Sequence, residues 1–171
     1  MPVSVAMYES EFGPVMRNTP IVYTGGTFDL LHVGHLNLLS VCRKIAGKDG
    51  KVIVALNSDE FVEHYKGEHP VNNYRDREKM LCALHGVDYV IEHTDPDTSM
   101  DAINRAFLHA EPRLDWWFTK FIVIGDDWAK KDYYKQMGFT REWLAARRIS
   151  LLYTPYTEGI SSSKLRRHLV D

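Results

Sequence analysis

Gly25-Gly26-Thr27-Phe28-Asp29-Leu30-Leu31-His32-Val33-Gly34-His35 is the stretch whose reading decides the fold. It follows Ile21-Val22-Tyr23, a short β-rich run, so the paired glycines read as a strand entering a tight turn. From Gly34 onward Leu38, Cys42 and Ile45, with Leu39 and Ala46 beside them, recur at three- and four-residue steps, which predicts a helix with one apolar face. A strand, a glycine turn and a helix start form an anion cradle. Glycines let backbone N–H groups come close to the anion, and the helix adds its unpaired N–H groups and dipole. His32 and His35 lie three apart around Gly34, so both imidazoles can face one phosphate while the glycine leaves room for it.

Outward from that stretch, strands and helices alternate. Lys51-Val52-Ile53-Val54-Ala55-Leu56 is a near-continuous apolar run, as expected of a strand covered on both faces. Residues 74–84 read as a helix, 87–91 as a strand, 99–109 as a helix and 121–124 as a buried strand ended by Gly125. Residues 133–147 read as helical, 149–153 as the fifth strand and 161–169 as the last helix. Such alternation predicts right-handed crossovers and a parallel sheet. The fold class is therefore α/β: a Rossmann-like, five-stranded parallel sheet with helices on both faces and ligands bound at the carboxyl ends of its strands. Residues 1–19 read as an N-terminal tail or arm and 20–171 as the domain itself. Trp116 and Trp117, beside Phe118, read as core near a strand start.

Composition bounds the partners. With 171 residues, 44% of them hydrophobic, the chain suits one domain with a real core. A net charge of −2 argues against nucleic acid as a partner. No run is long enough to span a membrane and the first residues lack a secretory pattern, so a cytoplasmic location is expected. Cys42 and Cys82, each among apolar residues at helical spacing, read as buried core thiols rather than a disulfide or metal pair. No metal-ligand cluster is seen.

Two further blocks fall at strand ends, Ile124-Gly125-Asp126-Asp127-Trp128 and Thr157-Glu158-Gly159-Ile160-Ser161-Ser162-Ser163-Lys164. The three blocks together resemble the HxGH-type cytidylyltransferases, above all the glycerol-3-phosphate cytidylyltransferases, from about Ile21 to Lys164. The resemblance implies that Gly26, Thr27, Phe28 and Gly34 meet the nucleotide through the turn. It implies that His32 and His35 hold its phosphates and stabilise charge at the reacting centre. Asp127 would lie near ribose or base, and the segment containing Thr157, Gly159, Ile160, Ser161, Ser162 and Ser163 would close over base and phosphates. The serines carry a physical argument of their own, because they start a helix where hydroxyls and free N–H groups together hold an anion; a single serine there can equally be only a cap. Lys66, read in the polar loop 64–73, matches a lysine that approaches the phosphates and counts with the histidines as catalytic. Arg77 and Asp29 are expected at the acceptor substrate, although Arg77 also reads as an ion pair on a helix face.

The activity implied is transfer of CMP from CTP to a small phosphate- or phosphonate-bearing acceptor, with Mg²⁺ accompanying the nucleotide and a homodimer expected from the resemblance. Adenylyl transfer on the same fold, or a nucleotide-binding module without catalysis, are the alternatives. The chain departs from the family pattern where basic residues are expected, with Glu68, His85, Tyr156 and Ser99 in their place. Those changes weaken glycerol 3-phosphate as the acceptor.

Overall fold

The computed structural model describes residues 19–94, 99–110, 119–127 and 133–170. Five strands form one sheet: β1 Pro20–Gly26, β2 Lys51–Asn57, β3 Tyr89–His93, β4 Thr119–Gly125 and β5 Ile149–Thr154. All neighbours are parallel and the order is β3-β2-β1-β4-β5. The helices among the described residues are α1 Val33–Ala46, α2 Asp59–Lys66, α3 Tyr74–Cys82, α4 Ser99–Ala110, α5 Tyr133–Met137, α6 Arg141–Ala146 and α7 Ser162–Val170. This is the doubly wound α/β arrangement expected. Its strand order reverses between β1 and β4, which opens a crevice at their carboxyl ends.

Alternation along the central strands sends side chains to two cores. Ile21, Tyr23, Ile53, Ala55, Ile122 and Ile124 pack against Ile103 and Phe107 of α4, Tyr133 and Met137 of α5 and Leu144 of α6. Val22, Val52 and Val123 meet Cys42 and Ala46 of α1, and Val54 and Leu56 meet Leu39 of α1 and Leu81 of α3. Both faces being covered explains why β2 carries no polar residue from Val52 to Leu56.

Several boundaries differ from the sequence reading. Residues 59–66 form a helix that hydropathy did not show. Ser58 caps it through the Phe61 N–H, Asp59 and Glu60 suit its dipole, and Gly67 ends it in the left-handed region at φ 74°. Strand β3 begins at Tyr89 rather than 87, because the Val87 N–H closes a turn onto the Leu84 carbonyl. The expected helix 133–147 is two short ones, separated at Gly138, whose φ is +70°. Cys42 is buried as expected, but Cys82 is exposed, because it closes the last turn of α3 away from Leu81. Residues 1–18 of the expected arm 1–19, together with Trp116, Trp117, Phe118 and Trp128, lie outside the described residues.

Candidate active site

The turn after β1 is held from three sides. Phe28 and Leu30 adopt positive φ values of 49° and 46°, which side chains with a Cβ rarely adopt. Their neighbours fix them there. The Asp29 carboxylate accepts from the N–H groups of Leu30 (3.0 Å), Val71 (2.8 Å) and Asn72 (2.9 Å). The Asp29 carbonyl accepts from the Ser162 hydroxyl at 2.6 Å, and the Thr27 carbonyl accepts from Arg77 Nη1 at 2.6 Å. Strain of this kind persists only where the surroundings over-determine it.

His32 is the N-cap of α1. Its Nδ1 accepts from the Gly34 N–H at 3.1 Å, and His35 Nδ1 accepts from the His32 N–H at 3.4 Å, so the two side chains cap the helix reciprocally. With Nδ1 accepting on both rings, each neutral imidazole carries its proton on Nε2 as a donor. The rings stack with centroids 3.9 Å apart, and Phe28 packs on His35 at 5.1 Å. A Cβ on Gly34 would come within 2.9 Å of His32 Cε1, which is why the residue between the histidines is glycine.

Burial lowers the pKa of both histidines. His35 falls to about 4 because it is desolvated, with His32 and Lys66 adding repulsion against the attraction of Asp29, and His32 falls by desolvation. Neutral donors near pH 7 are the result. The sign for stability follows. Above pH 6.5 both folded and unfolded His35 are neutral; below it the unfolded chain binds a proton that the folded chain refuses until about pH 4. Folding stability should therefore decline as pH falls from 6.5 towards 4. Denaturant midpoints across that window should fall less steeply in His35→Ala, and an unchanged slope would contradict the assignment.

The histidines line a cleft of about 300 Å³, the lower end of ligand-pocket volumes of ~300–1,000 Å³. It lies at the carboxyl ends of β1, β4 and β5. Gly26, Thr27, Phe28, Gly34, Lys66, Asp127, Thr157, Ile160, Ser161, Ser162 and Ser163 share its walls. Lys66 is the last residue of α2 rather than part of a loop. Burial lowers its pKa, opposed by Asp29 and Glu68, and its ammonium makes no hydrogen bond or ion pair among the described residues. A Cβ on Gly125 would come within 2.6 Å of Asp127 Oδ1, so any larger residue there would displace that carboxylate. Thr157 is tied to α1 by Asn37 Nδ2, which donates to its hydroxyl oxygen at 2.9 Å. The serines divide their work. Ser161 caps α7 by accepting from the Lys164 N–H, Ser162 holds the Asp29 carbonyl, and the Ser163 hydroxyl makes no such internal bond among the described residues.

Not every expected residue reaches the cleft. Gly159 turns the chain at φ 85° without lining it. Arg77 is 0% exposed, with its guanidinium engaged by the Asn72 and Thr27 carbonyls and by Asp59, and it lines neither the cleft nor the recess beside it. Asp29 borders a smaller recess beside the cleft, its carboxylate already engaged by backbone. Of the four altered basic positions, Tyr156 lines the cleft and Glu68 the recess. His85 is exposed and lines neither, while Ser99 is buried against His93 with Oγ 3.1 Å from Nε2. Asn57, Tyr65 and Leu38 also line the cleft and carried no signal in the sequence beyond their places at the end of β2, in α2 and in α1.

The cytidylyltransferase-like family model matches residues 23–168. The chain belongs to the cytidylyltransferase-like family. Among its relatives, the bifunctional protein HldE of Erwinia tasmaniensis is 32% identical over 156 residues, covering 91% of this chain and 28% of that protein. HldE of Haemophilus influenzae is 41% identical over 80 residues, 46% of this chain and 16% of the relative. The chain thus spans less than a third of the length of these curated relatives. A lipopolysaccharide core biosynthesis protein from Thermoplasma volcanium shares the fold with a TM-score of 0.54 at 19% identity, over 81% of this chain and 98% of that one. A protein of unknown function from Archaeoglobus fulgidus does so with a TM-score of 0.54 at 20% identity, over 82% and 93%. No helix among the described residues is long and apolar enough to cross a membrane.

Proposed function

We propose that this nucleotidyltransferase-family chain transfers CMP from CTP to a small phosphate- or phosphonate-bearing acceptor and releases pyrophosphate. The observation that carries the reading is the convergence on one cleft of two neutral histidines, Lys66 and the start of α7. The acceptor needs no base. A phosphate monoester loses its second proton near pH ~6, so at neutral pH an anionic oxygen is ready to attack. That oxygen forms a bond to the α-phosphorus as the bond to the bridging oxygen breaks, and pyrophosphate leaves with the electron pair. What the protein supplies is alignment and charge stabilisation. The Nε2–H groups of His32 and His35 donate to phosphate oxygens as negative charge builds, Lys66 holds the anions in place, and the N–H groups at the start of α7 take the remainder.

Magnesium fits as a companion of the triphosphate. Mg²⁺ commonly takes phosphate oxygens and water with few carboxylates, so the triphosphate itself would carry it into the cleft. Bound with the nucleotide, it would neutralise charge on the leaving group.

Adenylyl transfer is the second reading. It is favoured by the relatives being HldE proteins and by Tyr156 standing in the cleft where the glycerol-phosphate enzymes carry an arginine. Pyrophosphate release measured with CTP, ATP, GTP and UTP, against a panel of phosphorylated alcohols and phosphonates, separates the readings. CTP is expected to give the highest kcat/KM. Preference for ATP would establish the second reading, and no turnover of any pair would leave a nucleotide-binding module.

A further inference from the structure

The smaller recess beside the cleft has walls of unusual charge. Thr27, Lys66, Ser162 and Ser163 border both spaces, so the recess opens directly beside the triphosphate position of the proposed reaction. Two cations face it, Lys66 and Arg166, the latter carried on α7. Two carboxylates face it as well, and they differ. Asp29 is fixed by three backbone N–H groups, whereas Glu68 has a side chain 56% exposed and is held through the Arg166 guanidinium. Arg166 is itself tied to the loop after α2, through Glu68 by Nη1 and through the His69 carbonyl by Nη2.

The size of the recess decides what this pairing does. It holds about 30 Å³, roughly the ~30 Å³ share of a single water in the liquid. In this arrangement Glu68 holds the arginine, so a phosphate reaching it has to take the place of that carboxylate. Yet Lys66, unpaired among the described residues, stands on one wall, and a guanidinium fork on another matches the geometry of phosphate oxygens.

We propose that this recess receives the anionic group of the acceptor, that Arg166 is its second cation after Lys66, and that Glu68 is a counter-ion the acceptor displaces. The inference rests on the nucleotidyltransferase reading above and deepens it. A dianionic phosphate or phosphonate brings twice the charge of the Glu68 carboxylate and more oxygens, so it takes the arginine; a carboxylate or a neutral alcohol does not. Glu68 then swings to solvent, where it is already half exposed. Bridging Lys66 and Arg166, the acceptor phosphate stands next to the nucleotide, as in-line attack requires. The pair is thus a specificity filter for charge, and Arg166 a residue that selects the acceptor.

Calorimetric titration of the full chain with inorganic phosphate and with methylphosphonate tests this, once with the α,β-methylene analogue of CTP saturating and once without nucleotide. Glu68→Gln should bind both probes about tenfold more tightly than the native chain, and Arg166→Ala about tenfold more weakly. The double variant should behave as Arg166→Ala, acetate should bind the native chain far more weakly than either probe because it cannot displace Glu68, and nucleotide affinity should be the same in all. Arg166→Lys, which keeps the charge and loses the fork, should fall between. If Glu68→Gln binds phosphate no more tightly, the displacement idea is overturned even should Arg166→Ala fail to fold. Equal phosphate affinity in native chain and Arg166→Ala overturns the site. Failure of the nucleotide analogue to bind would instead count against the nucleotidyltransferase reading, and the titration without nucleotide would still judge the pair.

Discussion

Alanine at His32 or at His35 is expected to lower kcat by ~10²–10³-fold, the usual cost of removing one preorganised donor from a developing negative charge. Nucleotide affinity should change far less, because Lys66, the glycine turn and the start of α7 remain to hold the triphosphate. The two residues are not equivalent in the fold, and this allows a control. His32 caps α1 with Nδ1, so His32→Ala also loses a cap, typically worth ~1 kcal/mol. Asparagine is among the best cap residues, so His32→Asn should recover most of that stability while its shorter side chain leaves the phosphates without the Nε2–H donor. The expected pattern is two His32 variants equally slow but unequally stable, read from kcat and from denaturant midpoints. Turnover restored together with stability in His32→Asn would mean that the histidine acts through the helix alone. Near-native kcat in both His32→Ala and His35→Ala would end the catalytic assignment.

The parts of this molecule legible in the sequence share one physical property: they are local. The strand, glycine turn and helix from Ile21 to Ala46 carry their own period and their own breakers, and the buried strands show as apolar runs because both faces are covered. Both histidines follow from spacing alone. What escaped either shows no hydrophobic period or depends on groups far apart in the chain. Helix α2 has the cap, acidic first turn and terminal glycine of a helix, but only Phe61 and Val62 are buried in it, too few to mark a period. Asp29 and Arg77 match positions that the resemblance places at the acceptor, and their engagement within the fold cannot be read from the sequence. Their distant partners, Val71, Asn72 and Ser162 for the one, Thr27 and Asp59 for the other, are brought near only by the folded chain. Arg166 carried no signal at all, since an arginine in a terminal helix reads as solvated until Glu68 is found against it.

Arg77 offers the second large effect, and it separates architecture from chemistry. Its guanidinium is completely buried and makes three charge-assisted bonds, at 2.9 Å to the Asn72 carbonyl, 2.6 Å to the Thr27 carbonyl and 2.6 Å to Asp59 Oδ1. Through these it joins the turn after β1 to the start of α2 and the loop before α3. Removing one partner of such a pair typically costs ~3–5 kcal/mol, because the other charge is left without compensation. Asp59 keeps the Tyr74 N–H at 3.0 Å and has a side chain 26% exposed, which places Arg77→Ala near ~3 kcal/mol, the lower end of that range. For a chain of this size ~3 kcal/mol corresponds to a fall in Tm of roughly 6–12 °C. Methionine at 77 refills most of the volume but not the bonds and should recover little of the loss. Lysine keeps the charge yet offers no planar fork to three acceptors in different directions, so it should recover only part. A direct contact with the acceptor predicts something else, namely a large rise in acceptor KM in Arg77→Lys with stability nearly unchanged. Thermal unfolding beside acceptor KM, measured well below the variant's Tm, distinguishes the two. A Tm within ~2 °C of native in Arg77→Ala, less than 1 kcal/mol by the same conversion, would show that the turn holds itself without the arginine.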